Sequence, residues 1–188
     1  MPPTASILIL AAHPRRRFSL VNHALVEAAE ALAREGAGPA LTVCDLYATY
    51  PDMLIDARAE QARLVAADLV VWQHPIHWFG MPPLMKQWLD EVLTLHWAHG
   101  PGGSALQGKR LWVVASTPRR EDRRVWWPAY ERIAQECGMH LLEPFILEGL
   151  RERPRLELDL AVQSYRQRLM SYPHWPELAS PPPSATEP

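Results

Sequence analysis

The sequence predicts a single α/β domain built on a five-stranded parallel sheet, and three observations carry that prediction. Five short apolar runs are distributed along the 188 residues. Helical periodicities separate them, and the runs do not alternate with polar residues, as befits strands covered on both faces. The length suits one ordinary domain rather than two.

The first run, Ile7 to Ala12, ends at His13-Pro14. Val21, Leu25, Ala28 and Leu32 then follow i, i+4, i+7, i+11, one face of a helix. A second strand is predicted at Ala40 to Asp45, followed by a weaker helix at Asp56 to Ala66. Asp68 to His74 forms the third strand, and Pro83 starts a helix reaching Leu95, proline being well suited to a first helical turn. Lys109 to Ser116 is the fourth strand, with a helix on the face of Trp126, Tyr130, Ile133 and Cys137. His140 to Leu147 is the fifth, closed by a helix on Leu158, Val162, Tyr165 and Leu169. Right-handed crossovers and five strands favour a flavodoxin-like three-layer sandwich with strand order 2-1-3-4-5. The domain is expected over residues 5–171. Residues 172–188, with Pro173, Pro176, Pro181, Pro182, Pro183 and Pro188, are expected to form a proline-rich tail, either disordered or laid on a partner subunit.

Composition excludes several classes. Hydrophobic residues make up 48% and charged ones 21%, which leaves ample apolar surface to bury and no signature of disorder. Nineteen basic residues against twenty-one acidic ones give a net charge of −2, and no basic stripe stands out, so nucleic acid is not an expected partner. The first of the nine glycines is Gly36, past the first strand and its loop, which rules out a glycine-rich phosphate loop there. No segment reads as a membrane span or signal peptide, and a cytoplasmic protein is expected. Cys44 and Cys137 lack C-x-x-C spacing and read as small buried hydrophobes, with neither a disulfide nor a metal site expected.

Open parallel sheets bind ligands beyond the carboxyl ends of their strands, at the point where strand order reverses. The relevant loops therefore follow the first, third and fourth strands. In the first, Ser19 stands where a helix begins, after Arg15, Arg16 and Arg17. Unpaired helix amides with Ser19, Asn22 and His13 could hold a phosphate without glycines; equally, Ser19 could simply cap the helix while the arginines are solvated. In the third, Pro75-Ile76-His77-Trp78-Phe79 offers stiff aromatic walls on which a flat ring could stack. Trp88 shares a helix face with Leu84, Val92 and Leu95 and reads as packing; Lys86 and Asp90 read as an i, i+4 surface pair.

The blocks His13-Pro14 with Ser19 and Asn22, Asp45-Leu46-Tyr47 with Tyr50-Pro51-Asp52, Trp72-Gln73-His74-Pro75-Ile76-His77-Trp78, Pro82-Pro83-Leu84-Met85-Lys86-Gln87-Trp88-Leu89-Asp90, and Trp97-Ala98-His99-Gly100 with Gly103 to Lys109 together resemble one family. It is that of the flavodoxin-fold NAD(P)H quinone oxidoreductases. Within it, the sequence is most similar to the branch containing the ancillary flavoproteins of glutathione-gated potassium efflux systems. The resemblance spans roughly residues 5–116 and implies a flavin site. His13, Ser19, Leu20, Val21 and Asn22 would hold the phosphate. Pro75, Ile76, His77 and Trp78 would line the ribityl chain and the ring, while Ser116, Thr117, Pro118 and Arg119 would lie at its pyrimidine edge. The implied cofactor is FMN or FAD, with NAD(P)H as co-substrate and a quinone as acceptor. A homodimer is also implied, with Trp97 and His99 suited to its interface.

Two departures stand out. Where the family carries Thr-Thr-Gly-Gly after the fourth strand, this sequence has Ser116-Thr117-Pro118-Arg119-Arg120, and Pro118 offers no amide. The longer loop in which the family places a proton-handling Tyr and His is absent, so no catalytic residue is assigned. An alternative is a regulatory ancillary subunit that docks on a potassium efflux transporter, peripheral to the inner membrane through that partner.

Overall fold

The computed structural model describes residues 5–36, 38–149 and 155–176. Its six strands are β1 (Ser6–Ala11), β2 (Ala40–Asp45), β3 (Leu69–Pro75), β4 (Arg110–Thr117), β5 (His140–Leu141) and β6 (Phe145–Glu148). Its helices are α1 (Leu20–Glu35), α2 (Leu46–Thr49), α3 (Ala57–Ala66), α4 (Pro83–Val92), α5 (Trp127–Glu136) and α6 (Arg155–Met170). The sheet is parallel, in the order β2-β1-β3-β4-β5, with β6 also paired to β4. This is the expected 2-1-3-4-5 order with the last strand in two pieces.

The split has a local cause. Leu111 pairs with Leu141 and Val114 with Phe145, so the outer strand carries one extra residue, a bulge. Pro144 lies in it without an N–H for the ladder, and the carbonyl of Glu143 accepts instead from Trp112 Nε1 at 3.1 Å. α2 was not foreseen from the sequence; Asp45 initiates it by accepting from the amides of Tyr47 and Ala48.

The uninterrupted apolar runs make sense once the two faces are separated. Leu8, Leu10, Val70, Trp72, Leu111 and Val113 join one core under α3, α4 and α5. The alternate residues Ile7, Ile9, Leu69, Val71, Trp112 and Val114 join another under α1 and α6. Each aliphatic side chain buried this way contributes about 1.5–3 kcal/mol, which explains why the central strands carry little else. Cys44 and Cys137 are buried free thiols, and burial pushes Cys137 up to about 11.

α4 stops at Val92, three residues short of the expected end: the backbone leaves the helical region at Leu93, and Leu95, expected on the packed face, is exposed. At the other end of the chain the expected boundary is too early. Tyr172 and Trp175 are buried in the α1/α6 core, Trp175 Nε1 donates to the Arg168 carbonyl at 2.7 Å, and the Arg168 guanidinium stacks 4.0 Å from the Trp175 ring. The packed core therefore extends to Trp175, with Tyr172 and Trp175 inside it and Pro173, His174 and Pro176 exposed. Pro181, Pro182, Pro183 and Pro188 lie outside the described residues. No helix among the described residues is long and apolar enough to cross a membrane.

Candidate flavin site at the carboxyl edge of the sheet

β1 delivers the chain to His13 and into a short 3-10 turn at Arg16–Phe18, after which Ser19 caps α1. Ser19 Oγ accepts from the Asn22 amide at 3.2 Å, while the amides of Leu20 and Val21 in the first turn have no partner among the described residues. Leu20 is exposed, Val21 half-buried and Asn22 buried. Asn22 Nδ2 also donates to Ser19 Oγ at 3.2 Å and to Ser116 Oγ at 2.9 Å, so the start of α1 is tied to the end of β4. Both hydroxyls serve as acceptors here, which leaves each O–H proton free to donate.

His13 is half-buried. Its Nδ1 accepts from the Arg15 amide at 3.0 Å, which places the ring proton of the neutral form on Nε2. Burial, with His77 and Arg15 nearby, holds its pKa below the ordinary histidine value. Arg16 is not simply solvated, as one reading of the loop had it: its Nε pairs with Asp45 at 3.1 Å and its Nη1 lies 3.6 Å from Glu30.

β3 ends at Pro75, and the Ile76 amide donates to the Ser116 carbonyl at 2.8 Å, fixing the third-strand loop against β4. His77 and Gly80 exchange backbone hydrogen bonds of 2.8 and 3.0 Å around a two-residue turn. The central residues, Trp78 and Phe79, have φ of 48° and 63°. Glycine and asparagine suit these left-handed positions and large aromatics do not, so the turn is strained. The strain serves to present Trp78, which is 95% exposed, beside a half-exposed Phe79. His77 meets His13 across the mouth, ring centroids 6.0 Å apart and edge to face.

The fourth-strand loop behaves differently. Thr117 Oγ1 donates to the Arg119 carbonyl at 2.7 Å, and the Thr117 carbonyl accepts from the Gly149 amide at 3.1 Å. Pro118 and Arg119 are exposed, and among the described residues no hydrogen bond or ion pair joins either to the other two loops. Arg119 makes only a 3.9 Å contact with Glu121. The structure thus gathers His13, Ser19, Asn22, Ile76, His77 and Ser116 and leaves Pro118 and Arg119 at the rim. Trp97 is half-buried against its own core, and His99 is half-buried in the loop after α4. Cavities of about 460 Å³ beside Trp127, Met139 and Leu142, and about 390 Å³ between α4 and α5, share no residue with the three loops.

Two buried polar groups behind the site, Gln73 and His74, were not foreseen. Gln73 Nε2 donates to the Asn22 carbonyl at 3.4 Å, and its Oε1 accepts from Tyr165 OH at 2.8 Å. His74 stacks on Tyr130 with centroids 5.8 Å apart; its Nδ1 lies 3.0 Å from the Pro75 carbonyl and its Nε2 3.3 Å from Tyr130 OH. An Nδ1–H donated to that carbonyl leaves Nε2 to accept from the tyrosine. Burial brings His74 down to about 4, so it is neutral. The signal was legible: a polar Gln73-His74 pair inside an otherwise apolar strand demands buried partners.

A doubly wound parallel sheet, with a donor-rich helix start and an exposed indole at its β1/β3 switch point, defines a flavodoxin-like α/β protein. The chain belongs to the Flavodoxin_2 family, of flavodoxin-like fold, whose profile matches residues 5–169. It is 39% identical over 175 residues to the glutathione-regulated potassium-efflux system ancillary protein KefF of Klebsiella aerogenes, covering 88% of this chain and 96% of KefF. It is similar to general stress protein 14 of Treponema denticola, solved in complex with FMN: 34% identity, TM-score 0.77, covering 88% and 97% of the two chains. An NADPH-quinone reductase from P. pentosaceus shares the fold at 22% identity and TM-score 0.73, covering 88% and 97%.

Proposed function

We propose that the protein is a flavin-dependent NAD(P)H oxidoreductase that passes two electrons, as a hydride, from NAD(P)H through FMN or FAD to a quinone-like acceptor. The observation that carries this reading is the opposition, across one switch point, of unpaired α1 amides and an exposed Trp78 held in a strained turn. The kinship with KefF and with an FMN-bound relative supports it.

The residues present fit such a cofactor. At the phosphate end, the Leu20 and Val21 amides, the Ser19 hydroxyl and His13 Nε2–H are all donors, and the α1 N-terminus adds partial positive charge. The Asp45 carboxylate at the end of β2 is already occupied by Arg16 and by the amides of Tyr47 and Ala48. At the ring end, Trp78 offers a stacking face, and Pro75 and Ile76 a rigid apolar edge.

A bound flavin would supply the hydride chemistry, while the protein supplies binding and orientation. Asn22 holds the Ser19 and Ser116 hydroxyls in place; Ser116 and Thr117 would line the pyrimidine edge of a bound flavin, where Pro118 would have no amide to give. Arg119, only weakly paired, provides a positive charge on that side for an electron-rich ring. We place the protein in the cytoplasm as a homodimer, with Trp97 and His99 at the interface. The identity to KefF favours a second role, docking on a potassium efflux transporter, which co-purification with such a transporter tests.

The decisive experiment is a visible absorption spectrum of the purified protein with identification of the released cofactor, followed by NADPH and NADH oxidation with a quinone acceptor. Flavin bands and quinone-dependent turnover are expected. Absence of flavin, failure to bind added FMN or FAD and no turnover overturn the reading.

A further inference from the structure

His77 is an exposed side chain at the mouth, carried on a held backbone, with its chemistry unspent. Its backbone is locked by the exchange of hydrogen bonds with Gly80, yet neither ring nitrogen has a hydrogen-bond partner among the described residues. It faces His13 at 6.0 Å, and His13 has its Nδ1 committed to the Arg15 amide, so its Nε2–H is left for a ligand. Two imidazoles this close, bordering the unpaired amides of Leu20 and Val21, form a site rich in donors. We propose that His13 and His77 act as a pair that takes up a proton when a phosphate monoester binds at the start of α1, so that phosphate-bearing flavin is held more tightly as the pH falls.

The charged groups facing the pair agree with this. Arg15 in the first loop opposes a second positive charge on His13, and Asp45 at the end of β2 favours one, although Arg16 already neutralises that carboxylate. From β3, buried His74 is neutral. In the free protein, burial holds both His13 and His77 below the ordinary histidine value, and His77 further counts against protonating His13, so the neutral forms prevail at pH 7. A dianionic phosphate reverses the balance by favouring the charged form. Linkage fixes the sign: a group whose pKa is raised on binding gives affinity that increases as pH falls from the bound value to the free value, and no pH dependence above the bound value. Nothing comparable operates on a flavin that lacks the phosphate.

This inference rests on the flavoprotein reading, and the test separates the two. FMN and riboflavin affinities are measured by fluorescence quenching between pH 8 and pH 6.5, a range above the point where the phosphate itself loses much of its second charge. For the wild type, FMN is expected to bind about three- to tenfold more tightly at pH 6.5 than at pH 8, with riboflavin unchanged. His77→Gln should flatten the FMN profile. His77→Lys, permanently charged, should also flatten it while holding FMN at pH 8 more tightly than His77→Gln does. An FMN profile that is flat in the wild type, equally steep in His77→Gln, or matched by riboflavin overturns the proton-linked pair and leaves the flavoprotein reading standing. Binding of neither flavin at any pH overturns both.

Discussion

Asn22 Nδ2 donates to Ser116 Oγ at 2.9 Å, across 94 positions of sequence, and joins the first turn of α1 to the carboxyl end of β4. The same amide group donates to Ser19 Oγ, so one buried side chain sets both hydroxyls that border the site. The main-chain carbonyl of Asn22 accepts from Gln73 Nε2 behind it. Replacing Asn22 by Ala removes both side-chain bonds: Ser19 Oγ keeps the backbone amide of residue 22, while Ser116 Oγ is left to find a new partner. Stability is expected to fall by about 1–3 kcal/mol, and FMN affinity by roughly tenfold, or about 1.4 kcal/mol. Chemical denaturation and flavin titration on the same preparation check the two effects together.

The Trp78-Phe79 turn predicts a trade-off. Both residues occupy a backbone region that Asn and Gly adopt readily, and Trp78 is exposed, so Trp78→Asn with Phe79→Gly relieves strain while removing little packing. The double variant is expected to be more stable by about 1 kcal/mol, with a higher Tm, and to bind flavin at least tenfold more weakly. Stability and affinity falling together would show that the turn is held by packing of its aromatics and not for display.

The closing segment predicts a sharp truncation boundary. Trp175 is 1% exposed, in contact with Trp112 and beneath Arg168. A chain ending at residue 171 loses Tyr172 and Trp175 from the α1/α6 core and is expected to lose about 3–5 kcal/mol. A chain ending at residue 176 should keep the thermal stability of the full protein. Thermal unfolding of the two truncations distinguishes them.

These features differ in how readily the sequence discloses them. Strand positions were legible because each run is apolar on both faces, and Ser19 because a serine before a helical periodicity is a strong cap signal. The bulge at Pro144 was within reach: a proline in the middle of a run argues against an unbroken strand. The burial of Trp175 was not, because proline content describes local backbone preference and says nothing of a tertiary slot waiting for an indole. Likewise Arg16, read as one of three solvated loop arginines, is held by Asp45 from the neighbouring strand, a partner that sequence distance conceals. The His13–His77 contact depends on the tight turn after β3, whose aromatics give no turn signal.

His74 makes the acid stability of the fold testable. Burial lowers its pKa from 6.5 to about 4, so between those values the unfolded chain binds a proton that the folded chain does not. Stability contributed by the neutral form is therefore complete above pH 6.5 and is lost as the pH falls toward 4, with no further loss from this group below that. The full change is on the order of 3 kcal/mol. His74→Gln cannot titrate yet keeps a polar side chain near Tyr130 OH, so its own destabilisation should be nearly independent of pH. Carboxylates contribute equally to both proteins in acid. Urea denaturation at pH 7 and pH 5 should consequently show the wild type losing about 2 kcal/mol more than His74→Gln over that interval. Equal losses would mean that His74 is protonated within the fold, and that its bond to Tyr130 gives way before the protein does.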